Sequence, residues 1–238
     1  MLFREAQKLG EVLGRLSLDQ VSPLVNLGSS TRAFRESQQP YIQQFIFTPL
    51  DRRGVRAVHA DLKDEDGIDI VGDVYDPSFQ RAVKAIEPRL ILCCNMLEHV
   101  EDRPRFVEAC GDLLAPGGYL LLSVPYSFPY HMDPIDTLYR PSPTELSALF
   151  PEWETIESGV VVEDASYLTD LLGRQWNARD LFDFVVVGSA RFFMPWWRFP
   201  RWLSRFHPML WLWRPYRVTY ALLRKPAGFV RAGLARAS

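Results

Sequence analysis

Cysteine is scarce in this chain of 238 residues: only Cys93, Cys94 and Cys110 are present. Their number is odd, their spacing is not that of metal ligands, and the first two lie in an apolar run that reads as a buried strand. This argues against a disulfide framework and for core thiols in a reducing compartment, and no metal is expected. An uninterrupted apolar stretch of ~20 residues is also missing, so a membrane-spanning helix is not supported. The opening segment MLFREAQKLGEVLGRL has apolar residues at helical spacing but charges throughout, unlike a signal peptide, and a cytoplasmic protein is the expectation. Repeats, low-complexity tracts and a clean linker are absent as well.

Charge of one sign is missing from the end of the chain. From Phe184 to Ser238 there is no Asp or Glu but there are ten Lys or Arg, whereas the first 183 residues hold 17 basic against 29 acidic side chains. The net charge of −2 therefore hides two parts of −12 and +10, which meet different surroundings.

What is there is ordinary globular composition, 47% hydrophobic and 24% charged, enough for one α/β core with additions. After an N-terminal helix, VSPLVNLGSS (21–30) reads as a buried strand entering a tight turn. YIQQFIFTPLDRRG then reads as a helix that Pro49 bends or ends early. VRAVHADL (55–62) and IDIVGDVYD (68–76) read as strands two and three. SFQRAVKAI is a helix, and RLILCCNMLEHV opens as a continuously apolar central strand. The helix RFVEACGDLL leads through Pro116-Gly117-Gly118, a turn that needs glycine, into the strand YLLLSVPY. PTELSALF suits a short capped helix, and WETIESGVVVE and YRVTYALLRKP suit strands six and seven.

This alternation predicts a Rossmann-like, mostly parallel seven-stranded sheet with helices on both faces. Ligands bind such sheets at the carboxyl ends of the strands. The chain divides into a core over 1–165, a helical aromatic and basic insertion over 166–214, and a last strand with a basic tail over 215–238.

Several of these segments in combination, VNLGSS, VHADL, VGDVYD, NMLEHV and LLAPGGYLLLSVP, resemble the class I S-adenosylmethionine-dependent methyltransferases over about residues 21–165. The likeness is especially to a bacterial branch associated with glycan and surface-polymer biosynthesis. It departs from the family in the first loop, where Asn26 precedes a single glycine, Gly28, followed by Ser29 and Ser30. Gly28 can take a positive φ, and the two serines can offer donors to a carboxylate.

The resemblance implies S-adenosylmethionine as cofactor. Asn26, Gly28, Ser29 and Ser30 would meet its amino-acid part, and Asp61 or its neighbours Asp64 and Glu65 its ribose. Asp73 would stand beside the adenine amino group with Val74 against the ring. Each aspartate has a plainer reading as a loop charge or a helix cap. Asn95 and Met96 would stand where the sulfonium meets the acceptor, and His99 either lines the cofactor or caps the next helix. A nicotinamide-dependent enzyme is disfavoured because the first turn lacks spaced glycines.

Acceptor chemistry is expected from PYSFPYHMDPIDTLYRPSP. His131 could take a proton from a hydroxyl, with Asp133 or Asp136 fixing its tautomer, and Tyr139 and Arg140 could orient a sugar or an anionic group. The alternative is that these residues only close a proline-rich loop. In the insertion, Trp196, Trp197, Trp202, Trp211 and Trp213 interleave with Arg191, Arg198, Arg201, Arg205 and Arg214. Contact of 191–217 with an anionic membrane, a lid over the acceptor, and a homodimer interface compete as explanations; nucleic acid is disfavoured. The expected activity is methyl transfer to a hydroxyl of a sugar, glycolipid or small molecule. The alternative is a catalytically silent member acting as a binding or scaffolding module.

Overall fold

The computed structural model describes residues 1–131, 135–173 and 207–228. Seven strands form one sheet: β1 (Leu24–Leu27), β2 (Ala57–Asp61), β3 (Ile70–Val71), β4 (Leu90–Cys94), β5 (Tyr119–Ser127), β6 (Glu154–Val162) and β7 (Arg217–Arg224). Their spatial order is β3-β2-β1-β4-β5-β7-β6. The first five are parallel, and β7 runs antiparallel between β5 and β6. Strand order reverses between β1 and β4, which places the crevice of a doubly wound sheet at their carboxyl ends.

Both faces are covered, and the period of two along each strand decides which residue faces which layer. Val25, Leu27, Ile91, Cys93, Leu120 and Leu122 share a core with Phe79, Val83, Phe106 and Leu146. These last four come from α5 (Pro77–Lys84), α6 (Arg103–Leu113) and α7 (Pro143–Ala148). Leu24, Leu90, Leu92, Tyr119 and Leu121 belong to the opposite core, with Ala6, Leu9 and Leu13 of α1 (Phe3–Arg15) and Ile42, Ile46 and Leu50. A short α2 (Leu18–Val21) leads from α1 into β1. The cysteines Cys93 and Cys110 are buried and unpaired, and burial pushes both thiols well up. They are core residues.

The segment around Pro49 corrects an expectation. Pro49 does not end the helical run, which passes from α3 (Pro40–Ile42) through a widened turn at Gln43–Phe47 into α4 (Thr48–Arg52). Pro49 falls in the first turn of α4, where a missing N–H is tolerated. Strand three is shorter than its sequence suggests, because Gly72 has φ +151° and breaks the extended backbone after Val71. The turn before β5 needs its glycines as expected. Gly117 has φ +71°, and a Cβ on Gly118 would stand 2.9 Å from the carbonyl oxygen of Ala115.

The first part of the insertion is α8 (Tyr167–Gly173), and its last part is a tight helical turn over His207–Trp211. Trp211 Nε1 donates to Ser127 Oγ at 2.9 Å, fastening that turn to the end of β5, while Trp213 is exposed. Trp196, Trp197 and Trp202, with Arg191, Arg198, Arg201 and Arg205, lie outside the described residues. Among the described residues, no helix is long and apolar enough to cross a membrane.

Candidate active site

The four loops expected to form the site are neighbours. Gly28 N donates to Ala60 O at 2.9 Å, carrying the β1–β2 pairing past the strand end, and Gly72 N donates to Asp61 O at 2.9 Å. Asn95 N donates to Ser123 O at 2.8 Å. The carboxyl ends of β3, β2, β1 and β4 therefore present Asp73, Asp61, Gly28 and Asn95 along one edge, beside Ser123 in the middle of β5.

Gly28 has φ +70°, and a Cβ there would lie 3.1 Å from Met96 Sδ. Glycine is required on both counts: the backbone is left-handed, and the β4 turn approaches closely. Ser30 is also left-handed, at φ 54°, and its N–H donates to Asp61 Oδ2 at 2.7 Å. Asp61 Oδ1 accepts from Lys63 N at 3.1 Å. A carboxylate has about four lone-pair sites, so each oxygen of this partly exposed side chain can accept once more. Ser29 is buried, with its hydroxyl donating to Ser30 O at 3.1 Å.

Three expected residues have partners within the protein. Asn26 is buried within β1, and its side-chain amide lies 3.1 Å from His59 Nδ1, bracing β1 against β2. Val74 is buried in the core cluster that contains Phe79 and Val83. Asp73 Oδ1 accepts from Tyr75 N at 2.9 Å, and the N-cap of α5 is Asp76, so Asp73 is an exposed turn residue and not the helix cap. The N-cap of α6 is Asp102, which removes the capping role considered for His99.

Two further residues organise the edge. Glu5, in the first turn of α1, is fully buried; its Oε1 accepts from Asn95 Nδ2 at 2.8 Å and from Ser123 Oγ at 2.6 Å. Asn95 itself is left-handed, at φ 51°, a conformation asparagine tolerates better than most residues. Arg35 is the other, 3% exposed, donating to Ser29 O at 3.1 Å, to Gly67 O at 2.7 Å and to Ser30 O. It holds the first loop and the loop before β3 in one arrangement. Both residues sit on helices whose local pattern gives no hint of a polar role; Glu5 is defined by Asn95 and Ser123, remote in sequence, and Arg35 by the nearby Ser29 and Ser30 together with the more distant Gly67.

At the turn after β4, Glu98, His99 and His131 come together. Thr137 donates to Glu98 O through both N, at 2.8 Å, and Oγ1, at 2.9 Å, fastening the segment after β5 to the turn after β4. Asp136 accepts from His131 N at 3.1 Å and from both Arg140 terminal nitrogens, at 3.1 and 2.7 Å. Burial pushes the Asp136 carboxyl up, but the Arg140 guanidinium and the His131 and Leu138 amides hold it below its usual range. His131 Nδ1 lies 3.3 Å from Asp136 Oδ2, and burial lowers the imidazole, so it is neutral at pH 7. Asp136 is thus the carboxylate beside His131, while Asp133 lies outside the described residues. Tyr139 is stacked under the Arg103 guanidinium, 4.4 Å from ring centroid to Cζ. Glu98 is buried to 1% side-chain exposure, and burial raises its carboxyl to about 8.

A parallel sheet with this order, a left-handed glycine loop after β1 and acids after β2 and β3 define a doubly wound α/β protein with a ligand site at its carboxyl edge. More narrowly, the chain belongs to the methyltransferase domain family, whose model matches residues 11–186. Among solved structures it is similar to coclaurine N-methyltransferase bound to N-methylheliamine and S-adenosylhomocysteine, at 11% identity and TM-score 0.55, covering 93% of this chain and 72% of that one. It is also similar to a sarcosine dimethylglycine methyltransferase structure from Galdieria sulphuraria, at 12% identity and TM-score 0.51, covering 94% and 86%. The [4+2]-cyclase SpnF matches at 14% identity and TM-score 0.51, covering 93% and 82%. At these identities the likeness is one of fold. A comparison with curated proteins gave no match.

Proposed function

We propose that this protein transfers a methyl group from S-adenosylmethionine to a hydroxyl of a sugar, glycolipid or other small molecule. The observation that carries the reading is the meeting of Gly28, Asp61 and Asn95 at one sheet edge, with Asp61 still able to accept two hydroxyl hydrogen bonds. The residues present fit the cofactor. A Cβ at position 28 would fill the approach between the first loop and Met96, and the acid after β2 stands where a ribose diol needs an acceptor.

When bound, S-adenosylmethionine supplies an activated methyl group on a sulfonium centre. The protein's part is then alignment and exclusion of water. Glu5 holds Asn95 in its left-handed conformation, so that the β4 turn presents Asn95 and Met96 in a fixed pose. Asp61 binds hydroxyls while pinning Ser30. Neutral His131, backed by Asp136, accepts the proton of the attacking hydroxyl. Arg140, spent on Asp136, orients this pair; it does not grip the acceptor.

A second reading, a silent scaffold, is favoured by the first loop, whose polar groups are tied to Asp61 and Arg35 inside the protein. Incubation with a radiolabelled methyl donor and a panel of hydroxylated acceptors separates the two. Label in a hydroxyl-bearing acceptor, reduced at least ~10²-fold in His131→Asn, supports base-assisted transfer. A wild-type rate in that variant removes His131 from the mechanism, and absence of transfer to every acceptor class leaves the scaffold. The exposed Met209, Leu210 and Trp213 with the neighbouring arginines suit a membrane-peripheral enzyme, which sedimentation with anionic vesicles at low salt tests.

A further inference from the structure

The cluster at the turn after β4 contains more than a base. One ligand atom from each of Glu98, His99 and His131 lies within 4.8 Å of the others. Both carboxyl oxygens of Glu98 are buried without a hydrogen-bond partner. Burying a carboxyl group without any partner is costly, and such groups in a native fold mark a missing ligand. His99 Nδ1 donates to Ile135 O, which leaves its Nε2 as the lone-pair nitrogen, 3.8 Å from Glu98 Oε1. His131 is backed by Asp136 and Arg140. Imidazoles held from behind by a carbonyl or a carboxylate are the outer-shell arrangement that orients metal ligands.

We propose that Glu98, His99 and His131 bind one divalent first-row transition ion. Two imidazoles and one carboxylate select zinc, iron or a similar ion over magnesium or calcium, which prefer all-oxygen sites. Atoms ~2.1 Å from a common ion stand ~3.0–3.4 Å apart, so small side-chain rotations close the site. Three protein ligands leave coordination positions open. With His131 committed to the ion, the ion would replace it in this step: an acceptor hydroxyl taken into an open position would have its pKa lowered and release its proton to solvent water. That last role rests on the methyl-transfer reading; the binding of the ion does not.

The full chain, freed of metal with a chelator, is titrated with Co²⁺ while visible absorption and heat are recorded. One Co²⁺ per chain, displaced by Zn²⁺, is expected. Glu98→Gln and His131→Asn should each weaken it at least ~100-fold, since even outer-shell changes cost ~10–100-fold. If Glu98→Gln does not fold by circular dichroism, the partly exposed His131→Asn decides. No Co²⁺ binding, or binding unchanged in the folded variants, overturns the proposal. Calorimetry with S-adenosylhomocysteine on the same samples keeps the two readings apart. Cofactor binding without metal binding sinks only the ion site, and metal binding without cofactor binding sinks only the methyl-transfer reading.

Discussion

The side-chain amide of Asn95 donates to Glu5 Oε1 at 2.8 Å, joining the end of β4 to the first turn of a helix 90 residues earlier. The same oxygen takes the Ser123 hydroxyl, and Glu5 Oε2 takes the Leu2 amide at 2.7 Å. A buried carboxyl group thus fixes the residue at the centre of the candidate site.

Glu5→Ala should cost about 2–4 kcal/mol of stability, because it leaves buried donors on Asn95 and Ser123 unpaired. Urea unfolding measures it. A loss below ~0.5 kcal/mol would mean that the Asn95 conformation does not depend on this contact.

Gly28→Ala places a Cβ on a left-handed residue and against Met96. Expected are a destabilisation of ~1–2 kcal/mol and a loss of at least ~10-fold in affinity for S-adenosylhomocysteine. Unchanged affinity would show that the first loop does not approach the cofactor.

Arg35→Met removes a buried guanidinium that satisfies three carbonyls, those of Ser29, Ser30 and Gly67. Stability should fall by about 2–4 kcal/mol, and the loop should become open to proteolysis between Gly28 and Arg35. Retention of wild-type protease resistance would contradict the clamp.

His59 sets a pH dependence. Burial first, and then the charge of Arg35, push its imidazole down to about 4, with Asp69 opposing and Arg32 and Arg56 adding to the fall. Unfolded, the ring titrates near 6.5. Between about 6.5 and about 4 the unfolded chain binds more protons, so this contribution is whole above 6.5 and is lost as pH falls to about 4. It amounts to ~1–3 kcal/mol, one pKa unit being about 1.4 kcal/mol. Urea midpoints at pH 7 and pH 4.5 should differ less in His59→Gln than in the wild type.

The strands were legible because buried parallel strands are apolar on both faces, as in RLILCC, and because Pro116-Gly117-Gly118 marks a turn before β5. Gly28 and Asp61 were legible for a related reason: turn chemistry and strand ends are local signals. Glu5 and Arg35 were not, since an acid in a helix start and an arginine in a helix look like solvated side chains until the fold packs Asn95 and Ser123, 90 and 118 positions away, against the first and Gly67, 32 positions away, against the second. Asn26 and Val74 turn out buried, which their sequence neighbourhood does not announce, because a position close to a strand end can face either the edge or the core. The convergence of Glu98 and His99 with His131 spans 32 residues and depends on Thr137 docking on Glu98, which no spacing rule anticipates. Strand three was overextended because Gly72 takes a φ that β-branched neighbours conceal.

The account rests on the carboxyl edge accepting a nucleoside joined to an amino acid. Titration calorimetry with S-adenosylhomocysteine tests this most directly. One site per chain is predicted, weakened at least ~10-fold in both Gly28→Ala and Asp61→Ala; no heat of binding by the folded wild-type chain would contradict it.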